Sequence, residues 1–143
     1  MPITDDAGLY DLLSTARTVA LVGISDRPER ASNHVMAALQ AHGYRVYPVN
    51  PLITGERIHG EYVWRELCQI GEGIDIVDVF RNSAEAGAAV DAAIATGAKA
   101  VWLQLGVIDA AAAARAEAAG LKVVMDRCMK VELARLGIAA AVE

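Results

Sequence analysis

Gly23 and Ser25 sit where a short apolar run ends and a polar loop begins, and a helical pattern opens near Asn33. A strand, a glycine turn and a helix in that order leave unpaired N–H groups at a helix start, which carries a partial positive charge. The chemistry that suits such a place is anion holding, above all of phosphate. Arginines strengthen the reading. Arg27 and Arg30 lie in the same loop, Arg81 follows a second apolar run, and Arg127 follows the last one. Guanidinium groups pair with phosphate oxygens through two parallel hydrogen bonds.

Other reactive side chains form no comparable constellation. His34, His42 and His59 are scattered without metal-ligand spacing, so no metal site is expected. His34 has no serine or cysteine partner in an order that argues for a nucleophile and base, and reads as a surface helix residue. Asp75 and Asp78 are three apart in one strand, so they point to opposite faces and take structural roles. A binding module without catalysis of its own is the expectation.

Alternating strands and helices must position these groups. An amphipathic helix at 4–15 carries Leu9, Leu12 and Leu13 on one side and reads as a sheet-edge cap or an interface element. Strands are expected at 18–23, 44–49, 74–80, 98–104 and 121–126, and helices at 33–42, 63–70, 84–96, 109–119 and 129–136. Ser32, Asn82 or Ser83, and Asp109 are the expected N-caps; Gly43, Gly97 and Gly120 are the expected stops. The stretch 52–62 reads as a polar loop with turn points at Gly55 and Gly60 and a short strand near Ile58. The pattern predicts an α/β fold, a three-layer, doubly wound, mostly parallel sheet. Residues 1–17 would cap a single domain at 18–143.

Composition bounds the partners. The chain has 143 residues, 55% apolar and 5% aromatic, with a formal charge of −5. An acidic chain argues against nucleic acid and membrane surfaces. Cys68 and Cys128 are the only cysteines, far apart and behind no secretory pattern, so a cytoplasmic, reducing setting is expected. No run of 18 apolar residues is present.

In an open parallel sheet the ligand lies beyond the carboxyl ends of the strands, where strand order reverses. Strands 18–23 and 74–80 should flank that crevice, bringing Arg30 and Arg81 together. A nicotinamide dinucleotide is the first candidate, and two features argue against NAD. The loop has one glycine where the fingerprint wants three, and the second strand ends in Val49-Asn50-Pro51 without the ribose-binding carboxylate. Arginines without that acid favour a ligand with an extra phosphate, which coenzyme A and NADP both carry. Trp102 reads as core, and Gln104 as either a ligand contact or a loop hydrogen-bond partner.

The chain resembles the small stand-alone CoA-binding proteins, whose Rossmann-like fold is similar to the N-terminal domain of the succinyl-CoA synthetase α subunit. Matching stretches include Val22-Gly23-Ile24-Ser25, residues 28–33, 43–51, 75–81, 97–99 and 101–106, and 119–128. The resemblance spans roughly 18–133. It implies that Gly23 and Ser25 touch phosphate through backbone and hydroxyl, with Arg30, Ser32 and Asn33 beside them. Asn50 and Pro51 would lie near the adenosine, and Phe80, Arg81, Gln104 and Gly106 would wall the crevice. Cys128, between Arg127 and Lys130, reads as a small buried residue or as a thiol that forms a mixed disulfide with pantetheine. The expected ligand is CoA or an acyl-CoA, held by a carrier or sensing module. An NADP-dependent oxidoreductase or redox sensor, and an interaction subunit with a vestigial pocket, stand as alternatives. A homodimer through the first helix and an unidentified protein partner are both open.

Overall fold

The computed structural model describes residues 1–53 and 56–140. In chain order the elements are α1 (Asp6–Thr15), β1 (Thr18–Val22), α2 (Ala31–Ala41), β2 (Arg45–Val49), β3 (Arg57–Ile58) and β4 (Glu61–Tyr62). They continue with a 3-10 helix (Leu67–Gln69), β5 (Ile76–Val79), α3 (Ser83–Thr96), β6 (Ala100–Leu103), α4 (Ala110–Ala118), β7 (Lys122–Val124) and α5 (Met129–Arg135). One five-stranded sheet runs β2-β1-β5-β6-β7, with every pairing parallel. Order reverses between β1 and β5, which places the crevice where the sequence reading expected it. The expected short strand at Ile58 is half of a separate antiparallel hairpin, β3–β4. Gly60 lies in its turn, whereas Gly55 falls outside the described residues.

Helices cover both faces because the strands are apolar on both. Val22, Val49, Val77, Val79 and Leu103 meet α3, α4 and the 3-10 helix on one face. Leu21, Ile76 and Trp102 meet α1, α2 and α5 on the other. The layers are therefore helix, sheet, helix: an α/β, Rossmann-like fold. Helix α1 buries Leu9, Leu12 and Leu13, and the chain before it bonds to the edge strand through Ile3 N–H to the Val123 carbonyl at 2.8 Å.

Local chemistry explains the helix boundaries. Asn82 Oδ1 accepts from Glu85 N–H at 2.9 Å, and Asp109 Oδ1 from Ala112 N–H at 2.9 Å, as cap residues do. Two expectations need correction. Helix α2 starts at Ala31 with Arg30 as its N-cap, because the Ser32 hydroxyl turns inward to accept from Ser25 N–H at 2.9 Å. The helix expected at 63–70 shrinks to three residues because Val63 and Trp64 extend the sheet edge. Trp64 N–H bonds to the Pro48 carbonyl and Asn50 N–H to the Trp64 carbonyl, both at 2.9 Å.

Asp75 takes a structural role as expected, accepting from Arg17 N–H at 2.7 Å and pairing with Lys99 at 3.3 Å. A second ionic cluster anchors α5. Glu132, only 4% exposed, meets Arg127 at 2.7 Å and Arg135 at 3.0 Å. The Arg135 hydrogen bond holds the Glu132 carboxyl below the usual range, against the opposing effect of burial and with added help from Arg127. Its stabilisation is present above the unfolded carboxyl value of about 4.3 and is lost as pH falls through the lower folded value. Glu132→Ala is expected to lower stability at pH 7 by about 2 kcal/mol, less than a fully buried pair because both guanidiniums are partly solvated. Urea melts at pH 7 and pH 3 check this: the difference between variant and wild type should shrink in acid.

Candidate functional site

The loop after β1 turns at Gly23, whose φ is +92°. A Cβ there would stand 2.2 Å from the Phe80 carbonyl oxygen, so only glycine lets the loops after β1 and β5 cross. Three buried or half-buried side chains then hold the loop. Ser32 Oγ accepts from Ser25 N–H, Asn33 Nδ2 donates to the Ser25 carbonyl at 3.0 Å, and Asn50 Nδ2 donates to the Ile24 carbonyl at 2.8 Å. Asn33 is itself held from outside. His59, at the tip of the β3–β4 hairpin, lies 2.8 Å from Asn33 Oδ1 through its Nε2.

This locking changes the roles of the expected anion donors. Gly23 N–H bonds to the Val49 carbonyl at 2.9 Å and Ser25 N–H is engaged by Ser32, so neither amide faces a ligand. Asp26 and Glu29, both exposed, carry loop N–H groups without a partner among the described residues, whereas Ile24 is fully buried. Ser25 retains its hydroxyl, which accepts from Arg27 N–H at 3.2 Å and keeps its own proton to donate. Ser32, Asn33 and Asn50 act behind the loop as its supports.

Of the four arginines, three stay at the crevice. Arg27 and Arg30 are exposed on the loop, and Arg81 is half-buried with Glu85 3.8 Å away. Arg127 follows β7 at the same end of the sheet, and its guanidinium is engaged by Glu132 at 2.7 Å. Phe80 packs on the core at the crevice wall. Gly106 N–H bonds to Asp126 Oδ1 at 2.7 Å, tying the loop after β6 to the loop after β7. Gln104 follows β6 directly, 4% exposed, and its buried Oε1 has no partner among the described residues. Cys128 is half-buried at the start of α5.

A groove of about 800 Å3 opens from the switch point along the α3 side of the sheet. Val22, Val49 and Pro51 lie at one end with Arg81. One wall is the bare alanine flank of α3 (Ala84, Ala88, Ala92, Ala95), and the other is the stretch from Arg65 to Cys68. Arg65, Leu67 and the alanines were not legible as site residues, since nothing in the sequence shows that the β2–β5 connection leaves that flank uncovered. A smaller cavity of about 200 Å3, lined by Tyr10, Arg17, His42 and Tyr44, opens at the opposite, amino-terminal ends of the strands.

A family described as CoA binding domain matches residues 17–134. The chain is 36% identical over 125 residues to the uncharacterized protein YneT of Bacillus subtilis strain 168, covering 87% of this chain and 91% of that one. A solved hypothetical protein from Pyrococcus horikoshii OT3 is 38% identical, with a TM-score of 0.89 over 95% of this chain and 96% of its own. A dinucleotide-forming acetyl-coenzyme A synthetase from Ca. Korarchaeum cryptofilum shares the fold at 19% identity and TM-score 0.69, and the match covers 82% of this chain and 28% of the synthetase. A doubly wound sheet, a locked glycine loop at its switch point and a match over most of the length place this chain in the CoA binding domain family.

Proposed function

We propose that the crevice binds CoA or an acyl-CoA, and that the protein works as a carrier or sensor without chemistry of its own. The carrying observation is the union of cations and groove. Arg27 and Arg30 lie on the loop beside the exposed Asp26 and Glu29 amides, and Arg81 stands where the groove begins. The pyrophosphate lies over the loop, against those amides and the Ser25 hydroxyl. The adenosine enters the groove between Pro51 and the Ala84–Ala88 flank. Arg65 serves the 3′-phosphate, since no carboxylate lies within 4 Å of its guanidinium among the described residues. The pantetheine arm runs the other way, toward Gln104, Gly106 and Cys128.

The β2 end supports this choice over NAD. Asn50 stands in the ribose-clamping position, and its amide is engaged on both sides by Ile24 and Leu52. Two of the three histidines fit a non-catalytic role, and the third, His34, is exposed on α2. His59 is held by Asn33 and His42 by the Ile138 carbonyl, so neither serves Ser25 or Cys128 as a base.

Thermal shifts with CoA, dephospho-CoA, NADP and NAD test the reading. A ligand at a hundred times its Kd adds about 2.7 kcal/mol, a shift of several degrees for a chain of this size. CoA is expected to give the largest shift, dephospho-CoA a smaller one, and NAD none. Ala88→Trp fills the groove and is expected to weaken CoA at least tenfold while leaving the fold intact, because Ala88 faces solvent. A shift with NADP and none with CoA would sink the proposal.

A further inference from the structure

Among the described residues, three buried side-chain oxygens have no hydrogen-bond partner: Asp78 Oδ1, Asp78 Oδ2 and Gln104 Oε1. Orphaned buried polar atoms are uncommon, and three acceptors together with no donor are costly. The sheet register brings their owners together. Asp78 pairs across β5–β6 with Trp102, and Gln104 lies two residues beyond Trp102. Side chains alternate along a strand, so Asp78, Trp102 and Gln104 share one face. It is the face covered by α1, α2 and α5. Diagonal neighbours on adjacent strands lie within reach of side chains as long as glutamine.

We infer that Asp78 carries a proton in the folded protein, donates it in a hydrogen bond to Gln104 Oε1, and so fixes the Gln104 amide with its Nε2 hydrogens toward the crevice. One proton gives a partner both to an Asp78 oxygen and to Gln104 Oε1. The alternative, an ionised carboxylate with no exposure and no donor, is among the least favourable states a protein interior can hold. Burial alone pushes the Asp78 carboxyl well above the usual carboxylate range.

Among the described residues no cation pairs with that carboxylate. From β1 and β6 it faces Leu21 and Trp102. Of the charged or titratable groups on the covering elements, Glu132 of α5 is engaged with Arg127 and Arg135, His59 of the hairpin with Asn33 and Tyr44 with the Leu13 carbonyl, while Tyr10 and Asp11 of α1, His34 of α2 and Lys130 of α5 are exposed at the surface. Cys128, at the start of α5, also packs against that face. The other end of the Gln104 amide is free: Nε2 makes no bond within the described residues and is not among the buried orphans. It is a neutral donor suited to a carbonyl of the pantetheine arm. Asp78 is thus a positioning residue, and its effect on binding rests on the CoA reading above.

The sign of the pH dependence follows. A carboxyl whose folded value is raised contributes stability that is fully present below the unfolded value of about 3.9 and is lost as pH rises through the folded value. Carbon-13 NMR titration of the ligand-free wild type reads the proton directly. The Asp78 carboxyl carbon is expected at its protonated position at pH 7; titration near pH 4 overturns the inference. Asp78→Asn keeps a donor for Gln104 Oε1, and Asp78→Leu removes it. Asp78→Asn is expected to hold CoA within about twofold of wild type and to flatten the alkaline fall in stability. Asp78→Leu is expected to weaken CoA about tenfold, the worth of one such contact. Equal losses in both variants overturn the positioning role. If wild type binds no CoA, the CoA reading fails, and the NMR titration alone decides the Asp78–Gln104 pair.

Discussion

Gly23→Ala is expected to destabilise the protein by at least about 3 kcal/mol, summing a strained positive φ with an overpacked contact. The added methyl would meet the Phe80 carbonyl at 2.2 Å, and that carbonyl cannot swing aside. Phe80 N–H bonds to the Val22 carbonyl at 2.8 Å, so the two chains are joined immediately before they cross. Relief requires the loops after β1 and β5 to separate, which opens the crevice floor. Denaturant midpoints measure the loss. A variant within about 1 kcal/mol of wild type, the range of an ordinary substitution, would show that the crossing has slack.

Trp102→Ala should cost about 3–5 kcal/mol, the usual result of deleting a fully buried large aromatic. Trp102 has no solvent exposure, and its indole N–H donates to the Arg127 carbonyl at 2.7 Å. The ring therefore both fills the α1, α2 and α5 side of the core and holds the chain just before Cys128. Trp102→Phe separates the two roles. It keeps most of the volume and is expected to lose only about 1–2 kcal/mol, for the carbonyl left without its donor. Urea melts of the two variants check the contrast. A phenylalanine variant as unstable as the alanine one would mean that the hydrogen bond, rather than the packing, carries the effect.

The sheet, its switch point and most helix boundaries were legible from residue order, because apolar strands and polar caps are local signals. Asn82, Asp109 and the leucines of α1 all behave as their neighbours in sequence imply. Long-range choices were not legible. Ser32 reads as a helix cap, yet its hydroxyl serves Ser25 seven residues back, since two loop groups compete for one oxygen. Trp64 looks helical by its surroundings, but the open edge of β2 captures it. Arg127 has the right place in sequence, but its guanidinium is taken by Glu132, five residues on in the first turn of α5. Asp78 was readable as structural, but its isolation depends on which faces meet, a property of the packed sheet alone.

The hairpin and 3-10 turn between β2 and β5 occupy the place where a crossover helix would flank α3. Grip and width thus belong to different parts of the chain. Ser32, Asn33 and Asn50 set the shape of the loop after β1, whereas the stretch around Arg65 to Cys68 sets how far the opposite wall stands from the alanines. On the CoA reading proposed above, substitution along that wall retunes which molecules are admitted while the loop stays as it is, so selectivity can drift faster than affinity for the shared head.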